Sequence, residues 1–522
     1  MKRRDLLKAA GAAPFGMAVV SASAQAPDAS NYPLNEQVRQ EFERLLDAQE
    51  GRANIQGFTE TPRTPKGPLD RYLMWSLIAH DASALDHVPT NSDIPEVPQR
   101  FGFQLGPHRS SRAMAIVHIA MFEALNAVTQ KYKSYVGLAP STVPVSVEGA
   151  VAWAAHDALI VLYPYQQQRI SALLTADLIR IPDMNNEPDP AKAKAITEAT
   201  RDLGKAAAAA ILSKRANDNS AHMEPQVGQD YTLKKTPGAW DIDPVSNLSV
   251  ALGAKWGAVT PFVIQSADQF EPVAPPDLTS TEYAEAYSEV KRIGGDPLHN
   301  TPTERMDFET FEGVFWAYDG TPGLCAPPRL YNKLAQDYAL QKGVNDLTEM
   351  ARLLAILNAA MADAAISAWH AKWKYEFWRP ITAIQFESDN PAIISDPNYY
   401  PLGAPATNGR GPNFTPPFPA FPSGHAVFGG AVCEVLRLAL PNVKNQAFTF
   451  VSDEFNGQNR GIGDAEPRPR LPQSFVSLAH AEYLNARSRL FLGIHFRFDA
   501  TTGIKQGNEI GRYVFSNMYP AT

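Results

Sequence analysis

Lysine, arginine, serine and histidine recur in three short C-terminal stretches at spacings that suit one task. The stretches are Lys372-(x6)-Arg379-Pro380, Pro422-Ser423-Gly424-His425 and Ser488-Arg489-(x3)-Gly493-x-His495-(x3)-Asp499. Together they supply three cationic side chains, a hydroxyl, two imidazoles and the free backbone N–H groups of a predicted helix start. Such a set holds a small tetrahedral oxyanion, because every member donates a hydrogen bond, carries positive charge or offers a nitrogen lone pair. Whether the oxyanion is a substrate or a cofactor depends on what surrounds it.

Each stretch has its own geometry. Lys372 and Arg379 are seven residues apart, two helical turns, so both project from one helix face about 10 Å apart along the axis. Pro380 disfavours a helical Arg379, so the helix should end there with the guanidinium at its mouth. Trp369 shares the face of Lys372, and the aromatic company of Trp373, Tyr375, Phe377 and Trp378 is wrong for a solvated basic surface. Ser423 precedes the apolar run Ala426-Val427-Phe428 and reads as a helix N-cap, which aims the Gly424 N–H and the positive end of the helix dipole at an anion. Glycine leaves room for the ligand. Arg489 and His495 would point about 240° apart on one continuous helix. Gly493 is therefore expected to end that helix and let His495 begin the next. Asp499 then shares a face with His495 and can orient its ring through Nδ1, leaving Nε2 as ligand or nucleophile.

These stretches resemble the signature shared by the vanadium-dependent haloperoxidases and the acid phosphatases of the type 2 phosphatidic acid phosphatase superfamily. The matching positions, in order, are Lys372, Arg379, Pro380, Pro422, Ser423, Gly424, His425, Ser488, Arg489, Gly493, His495 and Asp499. Phe315-Trp316-Ala317-Tyr318-Asp319-Gly320, the Lys372-Trp373 to Trp378-Arg379-Pro380 run, and Phe418-Pro419-Ala420-Phe421 look like the fungal vanadium chloroperoxidases in particular. Likeness covers roughly residues 300–510. It implies vanadate as cofactor, bound to His495 through Nε2. Lys372, Arg379, Arg489, Ser423 and the Gly424 N–H would bond its oxygens, and His425 would be the acid–base group.

The resemblance also implies that Asp319 pairs with Arg489, that Lys372 polarises bound peroxide, and that Trp369 and Phe418 line the halide side. Bromide-selective relatives tend to carry histidine where Phe418 stands. The implied reaction uses hydrogen peroxide to oxidise chloride or bromide to a hypohalous-acid equivalent that halogenates a small organic acceptor. With phosphate in the same pocket, His495 would be a phosphoryl nucleophile and His425 the leaving-group acid, so a phosphatase is the alternative. A non-enzymatic oxyanion-sequestering protein is a third reading, which the complete acid–base and nucleophile set disfavours.

The elements that must position these residues are helical. Apolar spacing runs through 110–130, 147–178 and 190–215, and helices are predicted at 281–292, 302–317, 328–341, 346–377, 424–440, 474–490 and 497–515. Thr279-x-x-Glu282 and Thr301-x-x-Glu304 have the form of capping boxes, the second with Pro302 at a first helical position. Alternating strand patterns are scarce, so the fold class is all-α, two helical bundles of the haloperoxidase and acid phosphatase type. The expected organisation is a signal peptide at 1–26, an N-terminal bundle with a long connecting segment at 27–278, and a C-terminal bundle carrying the site at 279–522. Residues 218–278, rich in proline and glycine, form that connection. His118 and His156 lie on apolar faces and are expected to be hydrogen-bonded core residues.

The chain has 522 residues, 44% hydrophobic and 20% charged, with a net charge of −8. That balance disfavours a nucleic-acid partner. Its 43 prolines point to stiff, ordered loops. Two cysteines, Cys325 and Cys433, exclude a disulfide framework; one bridge stays open, and Cys433 reads as a buried thiol. Arg3-Arg4-Asp5-Leu6-Leu7-Lys8 before an Ala/Gly-rich stretch reads as a twin-arginine export signal, with small residues Ala22, Ala24 and Ala26 near a cleavage point. A periplasmic or secreted protein with no membrane attachment after signal removal is expected, since no other stretch reads as a bilayer span. Oligomeric state is not legible.

Overall fold

The computed structural model describes residue 33 and residues 36–37, 39–41, 64–88, 102–320, 323–404, 413–459 and 466–522. The twin-arginine segment lies outside the described residues. Helices α1 (Pro68–Asp86), α2 (Gly106–Thr129), α3 (Val147–Leu162), α4 (Gln167–Leu178) and α5 (Pro190–Arg215) make up the N-terminal half. The C-terminal half contributes α6 (Thr281–Ile293), α7 (Asp307–Phe315), α8 (Pro327–Gln341), α9 (Leu347–Tyr375), α10 (Pro380–Gln385), α11 (Gly424–Ala439), α12 (Leu478–Phe491) and α13 (Arg497–Asn517). A short antiparallel pair, β1 (Phe448–Phe450) and β2 (Gln473–Phe475), makes the two-stranded sheet among the described residues. The all-α expectation holds.

Several boundaries differ from the sequence reading, each for a local reason. The 147–178 run breaks at Tyr163, where Pro164 opens a 3-10 turn. Helix α7 starts at Asp307 rather than 302, because the Thr301 hydroxyl accepts the Tyr400 N–H at 2.8 Å instead of capping a helix. Glu304 pairs with Arg292, and Glu309 caps the start by accepting the Met306 N–H at 2.9 Å. At α6 the cap is Ser280 rather than Thr279, whose hydroxyl donates to Asp277. Residues 473–475 form β2, so α12 begins only after Ser477. Helix α1 went unread in the sequence.

One core runs through both halves. Helix α9 packs against α2 on one side and α11 and α13 on the other. By length and composition it could cross a bilayer, contrary to the expectation that no such stretch exists; yet 94% of that apolar window is buried inside the fold. Among the described residues of 218–278, the connection has no helix beyond the 3-10 turn Trp256–Ala258, but it buries Leu248, Val250, Trp256 and Phe262 in the same core. Asp363 on α9 holds it there by accepting the Phe262, Val263 and Ile264 N–H groups at 2.6–2.9 Å. Cys325 and Cys433 are both buried free thiols.

The tightest crossing places the site. Gly503, Gly507 and Gly511 recur every fourth residue on α13, so they form one stripe facing α11. A methyl group on Gly507 would lie 2.1 Å from the Val427 carbonyl oxygen, and one on Gly511 would lie 2.6 Å from that of Ala431. Only glycine allows backbones so close. The approach registers the start of α11 against the start of α13, where the Ser423 N–H donates to the Asp499 carbonyl at 3.0 Å. Gly507→Ala should therefore cost about 3 kcal/mol of stability through overpacking. Denaturant unfolding checks this, and an unchanged midpoint would mean the helices tolerate a wider separation.

Candidate functional site

Thirteen residues from distant parts of the chain close a small recess. Asp319, Trp369, Arg379, Phe418, Gly424, His425, Arg489 and His495, all singled out in the sequence, line it. Pro107, Pro327, Pro416, Phe428 and Ile494 complete the wall and were not anticipated. Gly106-Pro107 at a helix opening was the available signal for the first of these; the others are ordinary apolar residues that only the fold brings there.

Arg379 does not extend the Lys372 helix. Helix α9 ends at Tyr375, Glu376 takes a left-handed backbone at φ +47°, and Arg379 is the N-cap of α10 with Pro380 following it. Its guanidinium is buried. Nε donates to the Phe418 carbonyl at 2.9 Å and Nη1 to the Ile494 carbonyl at 2.9 Å, while Nη1 also lies 3.0 Å from His495 Nε2. Arg489 on α12 forks onto Asp319, with Nη2 at 2.6 and 2.7 Å from the two carboxylate oxygens. Asp319 is buried, which pushes its carboxyl up, and Arg489 opposes that push.

Lys372 and Ser423 sit behind the lining. The ammonium of Lys372 donates to the carbonyls of Pro419, Ala420 and Pro422 at 2.8, 2.9 and 2.6 Å, so all three donors are occupied by the loop. Burial, then the neighbouring Arg379, holds its pKa well below the ordinary lysine value. Ser423 occupies the N-cap position of α11, yet its hydroxyl makes no capping bond.

The two imidazoles have defined proton positions, assigned from their partners. His495 precedes α13 rather than beginning it; Phe496 is the N-cap and Asp499 the third helical residue. Asp499 Oδ2 accepts the Phe496 N–H and lies 2.9 Å from His495 Nδ1. Because arginine can only donate, the 3.0 Å contact to Arg379 makes His495 Nε2 an acceptor. His495 is therefore the Nδ1–H tautomer with its lone pair toward the recess. His425 Nε2 lies 2.7 Å from the Ala317 carbonyl, so Nε2 carries the proton and Nδ1 is bare. Nδ1 is 4.0 Å from Asp319, too far for a hydrogen bond.

Both rings are held well below the ordinary histidine pKa. Burial is the main cause in each, followed by Arg489 for His425 and by Arg379, Lys372 and Arg489 for His495. A lowered pKa keeps the neutral form as pH falls, so in the unliganded protein neither ring should protonate near pH 6.5, where free imidazole is about half charged. Imidazole nitrogen shifts followed by NMR from about pH 8 to 5 check this; a midpoint at or above about 6.5 for either ring would contradict it.

The recess and the layer just behind it also contain donors with nothing to donate to. Arg379 Nη2, Arg489 Nε and Nη1, and Ser423 Oγ are buried without a hydrogen-bond partner. Each such group costs about 1–3 kcal/mol, and folded proteins keep few of them. An oxyanion rich in lone pairs satisfies all of them at once and offsets a net positive recess, so a tetrahedral oxyanion such as vanadate fits these residues. Asp499 Oδ1 also lacks a partner, but Asp499 does not line the recess. His118 and His156 stay outside the site as hydrogen-bonded core residues, on Ser76 and Met114, and on Asp157 and Ser171.

Comparison with known proteins places this arrangement. The family model for the VCPO second helical-bundle domain matches residues 352–520. The VCPO-type domain is present. It carries Lys372, Arg379, Ser423, Gly424, His425, Arg489, His495 and Asp499 within its bounds. Asp319, Pro107 and Pro327 come from outside it. The chain is 37% identical over 261 residues to the vanadium chloroperoxidase of Curvularia inaequalis, covering 43% of this chain and 42% of that protein. It therefore spans less than half the length of that relative. Among solved structures it is similar to a bacterial vanadium-dependent iodoperoxidase, with a TM-score of 0.64 and 24% identity over 88% of this chain and 98% of that one. An apo-type bacterial vanadium-dependent chloroperoxidase aligns with a TM-score of 0.58 and 15% identity, over 79% and 94% of the two chains. These likenesses show that the shared helical fold extends beyond the VCPO-type domain over most of the chain.

Proposed function

We propose that this protein is a vanadate-dependent haloperoxidase, catalysing X⁻ + H₂O₂ + H⁺ → HOX + H₂O for chloride or bromide, with HOX passing to a small organic acceptor. The observation that carries the reading is the set of partnerless buried donors on Arg379, Arg489 and Ser423, together with a histidine whose Nε2 is an acceptor at Arg379. When bound there, vanadium(V) supplies a strong Lewis acid that activates peroxide without changing oxidation state. His495 Nε2 would hold it, with Asp499 fixing the ring and Arg379, Arg489, Ser423 and the Gly424 N–H bonding the oxyanion oxygens.

The remaining residues prepare the chemistry. His425 is neutral with a bare Nδ1 facing the recess, so it can take a proton from hydrogen peroxide and return one to the departing oxygen. The Ala317 carbonyl locks its tautomer. Asp319 orients Arg489 by a buried fork. Lys372 gathers the carbonyls of Pro419, Ala420 and Pro422 and thereby sets the loop between Phe418 and Ser423. Trp369, Phe418 and Phe428 exclude water and give a polarisable halide an apolar wall beside the guanidinium of Arg379.

The test is halide oxidation by metal-free protein with hydrogen peroxide, before and after adding vanadate. Activity that appears only with vanadate and is suppressed by phosphate supports the proposal. Hydrolysis of a chromogenic phosphate ester with no halide oxidation at any vanadate concentration rejects it. Arg3-Arg4 and the stretch after it support export by the twin-arginine route; a mature N-terminus near residue 27 outside the cytoplasm checks that.

A further inference from the structure

Trp369 is fully buried, and its indole is wedged lengthwise between two glycines. At the pyrrole end, a methyl on Gly253 would fall 2.1 Å from Cδ1 and 2.3 Å from Nε1. At the opposite, benzo end, a methyl on Gly424 would fall 3.4 Å from Cη2 and 3.6 Å from Cζ3. Gly253 also has φ +78°, which glycine adopts freely. The indole Nε1–H donates to the Leu252 carbonyl at 3.2 Å. Behind the ring lies His108, with centroids 5.3 Å apart, itself edge-on to Trp256 at 4.7 Å.

One carboxylate ties these supports together. Glu224 accepts the Gly253 N–H at 2.5 Å through one oxygen. Its other oxygen takes the Arg109 Nε–H at 2.8 Å and lies 3.3 Å from His108 Nε2. Glu224 and Gly253 belong to the connecting segment and His108 to α2, whereas Trp369 sits on α9. The position of the recess wall is thus set from the other half of the chain.

We propose that Gly253 and His108 are positioning residues that set halide discrimination by fixing how far Trp369 reaches into the recess. The inference rests on the haloperoxidase reading. A side chain at Gly253 must push the indole by on the order of 1 Å to restore carbon contact distance, and the push is directed along the ring toward Gly424, narrowing the recess. Removing the His108 ring takes away a packing neighbour of the indole and frees it to shift.

The experiment compares kcat and KM for chloride, bromide and iodide in vanadate-loaded wild type, Gly253→Ala and His108→Ala, with vanadate affinity measured on each. In Gly253→Ala the halide KM should rise roughly tenfold, more for iodide than for chloride, since misplacement on this scale costs one to two orders of magnitude. KM for peroxide and the affinity for vanadate should change less than the halide KM. In His108→Ala the iodide-to-chloride KM ratio should also depart from the wild-type value.

Wild-type KM ratios in both variants overturn the proposal, as does a loss confined to vanadate affinity. If circular dichroism shows Gly253→Ala unfolded, His108→Ala decides alone. Anomalous scattering from iodide in crystals gives an activity-independent readout. Iodide against Trp369 in wild type and displaced in a variant supports the positioning role. If wild type oxidises no halide while iodide still binds there, the enzymatic reading fails and the positioning inference stands; if iodide binds nowhere near Trp369, the inference fails as well.

Discussion

His495→Ala should lose vanadate affinity by three orders of magnitude or more, roughly 4 kcal/mol, with halide oxidation lost in step. The magnitude follows from what the ring contributes. It offers the one nitrogen lone pair whose position is fixed on both sides, by Asp499 at Nδ1 and by Arg379 at Nε2. The charged donors would still attract the oxyanion, at about 1.5–3 kcal/mol per bond, so weak electrostatic binding should remain. Asp499→Asn should show the smaller loss, 10- to 100-fold, typical of a residue that orients a ligand. Equilibrium dialysis against vanadate separates the cases. Equal vanadium content in wild type and His495→Ala would remove His495 as the ligand.

His425→Ala should separate the two, keeping vanadate within a few-fold while turnover drops about 10²–10⁴-fold. His425 lines the recess, but its Nε2 is turned away toward the Ala317 carbonyl, and its neutral ring adds no charge with which to hold an anion. What it offers is a bare Nδ1 and a proton affinity reduced by burial and by Arg489. Measuring kcat beside vanadate affinity in the same preparation decides the matter. A variant that turns over at the wild-type rate would place the acid–base function elsewhere. Retained vanadate affinity beside lost turnover in His425→Ala is a result that general misfolding cannot imitate.

Much of the site was legible in the sequence because its chemistry is carried by residue types that are costly to bury. Lys372, Arg379, Ser423, His425, Arg489 and His495 stand out from apolar surroundings, and a cation amid aromatics needs a reason. The pairing of Asp319 with Arg489 was implied by resemblance and appears as a buried fork. Helical texture was legible for a similar reason, since a face that must be apolar repeats with the helix. Boundaries were less so. Thr301 has the composition of a cap, yet its hydroxyl is claimed by Tyr400, nearly a hundred residues later in the chain.

The sequence by itself determined which groups could meet an oxyanion and that helices would present them. The tertiary structure decided what each group actually faces. Lys372 points at three carbonyls and Arg379 lies beyond the end of its supposed helix, because a long side chain follows the nearest partners the fold offers. Likewise His495 and His425 owe their tautomers to Arg379 and Ala317, contacts made only when α11 meets the segment after α7 and the starts of α10 and α13 converge. Hydrogen-bond direction, burial and close approach are properties of pairs brought together in space, and no spacing along the chain encodes the second member of such a pair.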